Sequence, residues 1–161
     1  DSDLSSPIAL TEICSTGDKD YQFKKNWLRE KCNALKLDFA TQGHILINVR
    51  RDHILEDSVD AVLSIPRRDI HLSWCVAFIN EDFRGWDVNA KEWFELVVRE
   101  VCNPLNGLWQ TNENDRNKGI QINPWSGIVF ERDDNRYFRF MGRVVGRALL
   151  DGYIIPFHMT P

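Results

Sequence analysis

The alternation of apolar and polar positions divides the chain into four helical segments, four strands and a polar lead-in. The longest pattern covers residues 135–151, where Tyr137, Phe138, Met141, Val144, Val145, Ala148 and Leu149 recur at i, i+1, i+4, i+7, i+8, i+11 and i+12. That spacing lays one broad apolar stripe along a helix, and at about 1.5 Å per residue the rod is roughly 25 Å long. Asp133 or Asp134 can cap its start. A second strong helix is predicted over 89–102, with Trp93, Phe94, Val97, Val98 and Val101 inward and Asn103-Pro104 as its stop. Two further helices are predicted, over 20–37 with Phe23, Trp27, Leu28, Lys31 and Leu35 on one face, and over 54–65 through Leu55, Val59, Val62 and Leu63. Between them, 44–50 alternates with Ile45, Ile47 and Val49 on one side, the period of a half-buried strand. Residues 70–79 are apolar on both faces, as a buried strand is. Residues 107–111 and 119–123 form two short strands across a polar loop. The tail, 153–161, is apolar but carries no assignable period.

Two lines on the long helix are unusual. Gly142 and Gly146 lie four apart, although each costs about 1 kcal/mol relative to alanine in a helix interior; their spacing predicts close approach by another element. A bulky side chain at 146 would then unfold the chain. Arg136, Arg139, Arg143 and Arg147 form a second line, which needs carboxylates or water. A solvated face is the simpler reading for most of it, with Arg143 the one expected to be buried and paired.

Composition narrows the class without naming a function. The chain has 161 residues, 43% hydrophobic, with six tryptophans, enough to bury a core and too apolar for disorder. Its net charge of −4 argues against recruitment by nucleic acid or an acidic membrane. No apolar run approaches the ~20 residues of a membrane span. Cys14, Cys32, Cys75 and Cys102 are scattered with no C-x-x-C pair, and the four histidines share no motif. No metal site and no cofactor is therefore expected. Asp20, Asp52, Asp57 and Asp60 are too common a residue type to be read as an acid–base pair. No P-loop, G-x-G-x-x-G or G-x-S-x-G is present. The residues alone predict a mainly helical α+β fold with several helices, a few short strands and no self-contained active site.

The order of short motifs adds more. Val49-Arg50-Arg51 closes a strand, and Glu56-Asp57-Ser58 opens the next helix. Lys91-Glu92-Trp93-Phe94 begins the helix that ends at Asn103-Pro104. Ile122-Asn123-Pro124-Trp125-Ser126 and the helix from Tyr137 through Gly146 follow. In this order and at this spacing they resemble the N-terminal lobe of HECT-type ubiquitin ligases, from about Phe23 onward. The resemblance implies the large subdomain of that lobe over 19–161; the polar, irregular residues 1–18 before it are expected to form a flexible arm with a short helical turn around Leu10 to Cys14. It implies thioester chemistry: ubiquitin is accepted from a conjugating enzyme on a cysteine and passed to a substrate lysine. None of the four cysteines has the family's Thr-Cys-Phe-like context. The transfer cysteine is expected C-terminal to Pro161, no catalytic residue is expected within 1–161, and the piece alone is expected to be inactive.

The implied partners are ubiquitin, a ubiquitin-conjugating enzyme docked on a part of the domain beyond Pro161, and protein substrates, in an intracellular setting, cytoplasmic or nuclear. Some family members hold ubiquitin non-covalently here with exposed aromatics. By position Tyr137 or Phe138 is the candidate, with burial in the core as the competing reading. Trp27 is the nearest aromatic to the tyrosine that the family carries on its first helix. Trp93, Phe94, Gly142, Arg143 and Gly146 are expected in the structural core. One departure stands out: where the family has Asp-x-Gly-Gly before Lys91, this chain has Gly85-Trp86-Asp87-Val88, so the loop is expected to be rebuilt or its packing loosened. The alternative reading is a non-catalytic module that binds ubiquitin or another protein.

Overall fold

The computed structural model describes residues 7–35, 43–112, 119–130, 133–155 and 159. The polar loop over 113–118 and most of the apolar tail fall outside them, as do residues 1–6 of the expected arm. The chain divides into two compact units, Asp1–Lys36 and Leu37–Pro161.

The first unit holds α1 (Pro7–Ser15) and α2 (Tyr21–Leu35). The expected arm is therefore helical over 7–15, and the unit boundary falls near 36 rather than after 18. The α2 face expected to be buried is not: Phe23, Leu28 and Leu35 are exposed and Trp27 is half-buried. Two short helices cannot enclose an apolar face. Local polar contacts act here instead. The Asp20 carboxylate accepts from the Phe23 amide at 2.8 Å, and Lys31 pairs with Glu12 at 2.6 Å while its ammonium lies 5.7 Å from the Trp27 ring centre.

The second unit is a mainly helical α+β fold. Strands β1 (His44–Val49) and β2 (Ser73–Phe78) pair in parallel, Ile47 opposite Val76. Parallel strands need a crossover, and α3 (Ile54–Ser64) lies within it. Helix α4 (Trp86–Val101) packs on β2. A hairpin of β3 (Trp109–Thr111) and β4 (Ile120–Ile122) follows, then the single turn α5 (Ser126–Val129) and α6 (Asp134–Asp151), which packs on α3 and α4.

Sequence pattern accounts for most of this core. Trp93, Phe94, Val97, Val98 and Val101 are all buried, one face of α4 at helical spacing. On β1, Ile47 and Val49 are buried and Leu46 and Asn48 exposed. The long helix is rotated from its predicted setting. Its most buried line is Phe140, Met141, Val144, Arg147 and Ala148, whereas Leu149 is exposed and Tyr137, Phe138 and Val145 are half-buried.

The glycine expectation is corrected. Gly142 and Gly146 are exposed, and a Cβ at either would meet nothing within 4 Å. The rotation that turns Phe140 inward carries this line out of the core, so in these residues neither glycine makes the close approach expected of it. The arginine line is corrected too. Arg136 pairs with Asp60. Arg143 donates to the carbonyls of Val62 at 2.6 Å and Ile65 at 2.9 Å, capping the last turn of α3, where carbonyls lack helical partners. Arg147, the most buried of the four, binds both Asp151 oxygens at 2.6 Å and the Leu72 carbonyl at 2.8 Å. Arg139 alone is exposed.

Two outcomes follow. Gly146→Ala is expected to raise stability by about 0.5–1 kcal/mol in urea denaturation, because the site is open and only the glycine's backbone entropy is at stake. Arg143→Met is expected to cost roughly 1.5–3 kcal/mol by the same measurement, with Arg143→Lys recovering only part, since an ammonium cannot span carbonyls as a planar guanidinium does.

Candidate functional site

The motif residues meet around the start of α3 and the loop into α4. The Arg50 amide donates to Asp57 Oδ2 at 2.8 Å, and its guanidinium reaches the same carboxylate through Nε at 2.9 Å and Nη2 at 2.7 Å. A carboxylate taking three donors, one of them backbone, stays ionised far into acid. Hydrogen bonds from the Arg50 side chain and then its amide hold the Asp57 pKa down at about 2. Arg51 is the hub of a second set. It is bidentate to Glu81 at 2.6 and 2.7 Å, reaches Glu92 at 2.9 Å, and lies 4.4 Å from the centre of the Phe78 ring. Arg84 also pairs with Glu92. Beneath these, Trp93 Nε1 donates to Ser58 Oγ at 2.8 Å, and Asn89 Nδ2 to the Val76 carbonyl at 3.2 Å. The motifs are thus complementary halves of long-range ties: Arg51 to Glu92 spans 41 positions and Trp93 to Ser58 spans 35.

These ties explain how the loop before α4 closes without a glycine pair. Asn80 (φ 64°) and Gly85 (φ 113°) are the left-handed turns of 79–86, and asparagine tolerates that region better than most residues. Glu81 and Arg84, inside the loop, are held through Arg51 and Glu92. Phe83 packs edge-on to Trp86 at 4.5 Å.

Two concavities adjoin this frame. One, of 490 Å³, lies where Trp74, Trp86 and Tyr153 surround Asp87 and the Arg147–Asp151 pair. The other, of 350 Å³, is bounded by Tyr137, Phe130 and the start of α3. Tyr137 and Phe138 are both half-buried and do different things. Tyr137 leans on Phe130 at 4.7 Å and lines the second cavity, so its edge is reachable. Phe138 stands edge-on to Trp109 at 5.5 Å, as a packing residue does. Trp93 and Phe94 are buried, and Arg143 is half-buried with its carbonyl partners.

The cysteines are free. Cys75 and Cys102 are buried, and burial pushes both thiols up, that of Cys102 to about 12. Neither is a thiolate near neutral pH, the form a nucleophile requires. Cys14 is exposed and Cys32 half-buried, both in the first unit. No group of three or more His, Cys, Asp or Glu among the described residues could hold a metal. Among them, too, no helix is long and apolar enough to cross a membrane. Three of the four aspartates weighed as acid–base candidates serve as partners, Asp20 to an amide, Asp57 to Arg50 and Asp60 to Arg136, and the fourth, Asp52, lies 3.7 Å from the imidazole of its neighbour His53.

The model of the HECT domain (ubiquitin-transferase) matches residues 95–161. The E3 ubiquitin-protein ligase NEDD4 of Rattus norvegicus is 34% identical over 158 residues, covering 94% of this chain and 17% of that protein. HECW2 of Homo sapiens, also an E3 ubiquitin-protein ligase, is 34% identical over 119 residues, 73% of this chain and 7% of that protein. Smurf1 of Drosophila melanogaster, of the same description, is 33% identical over 129 residues, 78% of this chain and 12% of its own length. Residues 95–161 belong to the HECT family. The chain spans 17% or less of the length of these relatives.

Within that HECT frame, the sequence reading placed the signature residues but not their partners. Arg51 was read as the end of a strand, and Arg147 as one member of a solvated line. The available signal for Arg147 was Asp151 four residues on, an i,i+4 pair. Nothing local marks Glu81 as the partner of Arg51, 30 positions away.

The Asp57 contacts carry a pH signature. A carboxyl whose pKa falls from the ordinary 3.8 to about 2 on folding stabilises the fold above pH ~4 and loses that contribution as pH drops from about 4 through 2. Asp57→Asn is therefore expected to be less stable than the parent at pH 7, with the gap closing between pH 4 and 2; urea midpoints across that range measure it.

Proposed function

We propose that this chain is the scaffold of the N-terminal lobe of a HECT-type ubiquitin ligase. In that reaction a ligase thiolate attacks the carbonyl carbon of the ubiquitin thioester and expels the thiolate of the conjugating enzyme. A substrate lysine amine then attacks the new thioester and releases the ligase thiol. The acceptor cysteine of this reading lies C-terminal to Pro161, and so does the surface that docks the conjugating enzyme. The role of residues 37–161 is rigidity: a platform from which a second lobe can reach both thioester and substrate.

The observation that carries the proposal is the signature network itself. Arg50–Asp57, Arg51–Glu92 and Ser58–Trp93 join three of the five family motifs into one frame. The high thiol pKa values of Cys75 and Cys102 support an acceptor elsewhere. The closed loop at 79–86 speaks against one of the two reasons for reading the chain as a degenerate, non-catalytic binding module, the missing glycine pair.

Of the two aromatic candidates, the reachable edge of Tyr137 favours it over Phe138 as a contact for ubiquitin. Protein substrates and the conjugating enzyme complete the partners, and the setting is intracellular, cytoplasmic or nuclear. Nucleic acid is not among them: three of the four arginines of α6 are already paired with groups of the chain itself.

A protein carrying this chain together with its downstream region is expected to form a ubiquitin adduct that thiol reductant releases, when activating and conjugating enzymes are supplied. Absence of that adduct with an active panel of conjugating enzymes overturns the enzyme reading.

A further inference from the structure

Residues 79–86 join β2 to α4 with almost no backbone bonding of their own. Where the segment leaves β2, the Ile79 amide donates to the Val49 carbonyl at 2.9 Å, and where it enters α4 the Asn89 amide donates to the Gly85 carbonyl at 3.0 Å. Between these points the Glu81 amide reaches the Phe78 carbonyl at 3.3 Å, while Asp82, Phe83 and Arg84 make no backbone hydrogen bond among the described residues. Asn80 and Gly85, the two left-handed residues, stand near its two ends.

The middle is held by charge on the outside. Arg51 pairs with Glu81 and Glu92, and Arg84 with Glu92, every one of these side chains 30–50% exposed. Exposed pairs are weak one by one and are screened by salt. A segment with so few backbone bonds opens locally at low cost. On its inner side Phe83, itself exposed, leans edge-on against Trp86 at 4.5 Å. Trp86 in turn is one wall of the 490 Å³ cavity, facing a space whose other walls include the buried Trp74, Cys75 and Arg147. The indole N–H of Trp74 is shut off from water and has no partner, a state that solvent would relieve.

We propose that residues 79–86 are a strap, latched through Arg51 and Glu92, whose release carries Trp86 away and admits solvent to the cavity behind it. Surface charge is thereby coupled to access to a buried aromatic space. Ionic strength, or a charged group competing for Arg51 or Glu92, shifts the strap between closed and open, as lids shift in other proteins. The scaffold role requires no such opening, so the two readings stand or fall separately.

Two indole protons make a matched pair for the test. Those of Trp74 and Trp109 are both buried and unpartnered, and of the two only Trp74 lines the cavity. Their exchange into D2O, followed by NMR of the full chain, separates opening of the strap from loosening of the whole fold. Raising salt to about 1 M, where the screening length is about 3 Å, is expected to speed exchange at Trp74 and leave Trp109 unchanged. Arg84→Gln, which removes one pair, is expected to speed Trp74 by up to about fivefold at low salt, the upper range for an exposed pair. Arg51→Gln, which removes two, is expected to speed it further and to leave a smaller response to salt. An exchange rate at Trp74 that is indifferent to salt and to both variants overturns the strap. Equal acceleration at Trp109 overturns it too, because the opening would then be that of the whole core.

Discussion

A guanidinium drawn out of solvent must have its donors answered, and α6 carries two of them, Arg143 half-buried and Arg147 buried. Turning Phe140, Val144 and Ala148 into the core brings Arg143 and Arg147 with them, because residues three and four apart share a face. Their partners are backbone carbonyls more than 70 positions away: the end of α3 for Arg143 and Leu72, just before β2, for Arg147. Two arginines thereby fix where one helix stops and where one strand begins. Apolar packing alone would leave both boundaries free to slide by a residue.

The signature motifs work in a similar way at the other end of α3. The Val-Arg-Arg stretch, the acidic opening of α3 and the Glu-Trp-Phe of α4 are far apart in sequence and nearly inert when read singly. Brought together, they put a charge-assisted layer, Arg50–Asp57 and Arg51–Glu81–Glu92–Arg84, above a neutral bond, Trp93–Ser58. The upper layer is partly exposed and is screened by salt. The lower one is buried, where losing a partner leaves a stranded donor. Orientation and stability are thus divided between two chemistries at one junction.

Helices, strands and the face of α4 were legible in the sequence because they depend on local period. The burial of Trp93, Phe94, Val97, Val98 and Val101 needed nothing beyond i, i+3, i+4. The setting of α6 was legible only coarsely. Its apolar residues cover too much of the circumference to fix a direction, and the choice between Phe140 and Leu149 is made by what packs against it. Glycine spacing misled, since a missing Cβ permits close approach without requiring it. The first unit misled in the opposite sense: α2 has a face, but nothing among the described residues of its own unit buries it. The cavity beside Tyr137 could not be read at all, because its lining comes from the turn before α3, from α3, from α4 and from the start of α6, brought together only by the fold.

The cysteines, inert in the proposed chemistry, divide the molecule in a useful way. Cys14 is exposed and Cys32 half-buried in the first unit, while Cys75 and Cys102 are sealed in the second. A thiol-reactive label therefore meets two clocks in one chain. The first pair is open to reagent by local fluctuation of two helices. The second reacts only through an opening that breaches the core around β2 and the end of α4. Labelling kinetics resolved by residue would thus report the integrity of the scaffold separately from that of its leading helices, with no mutation.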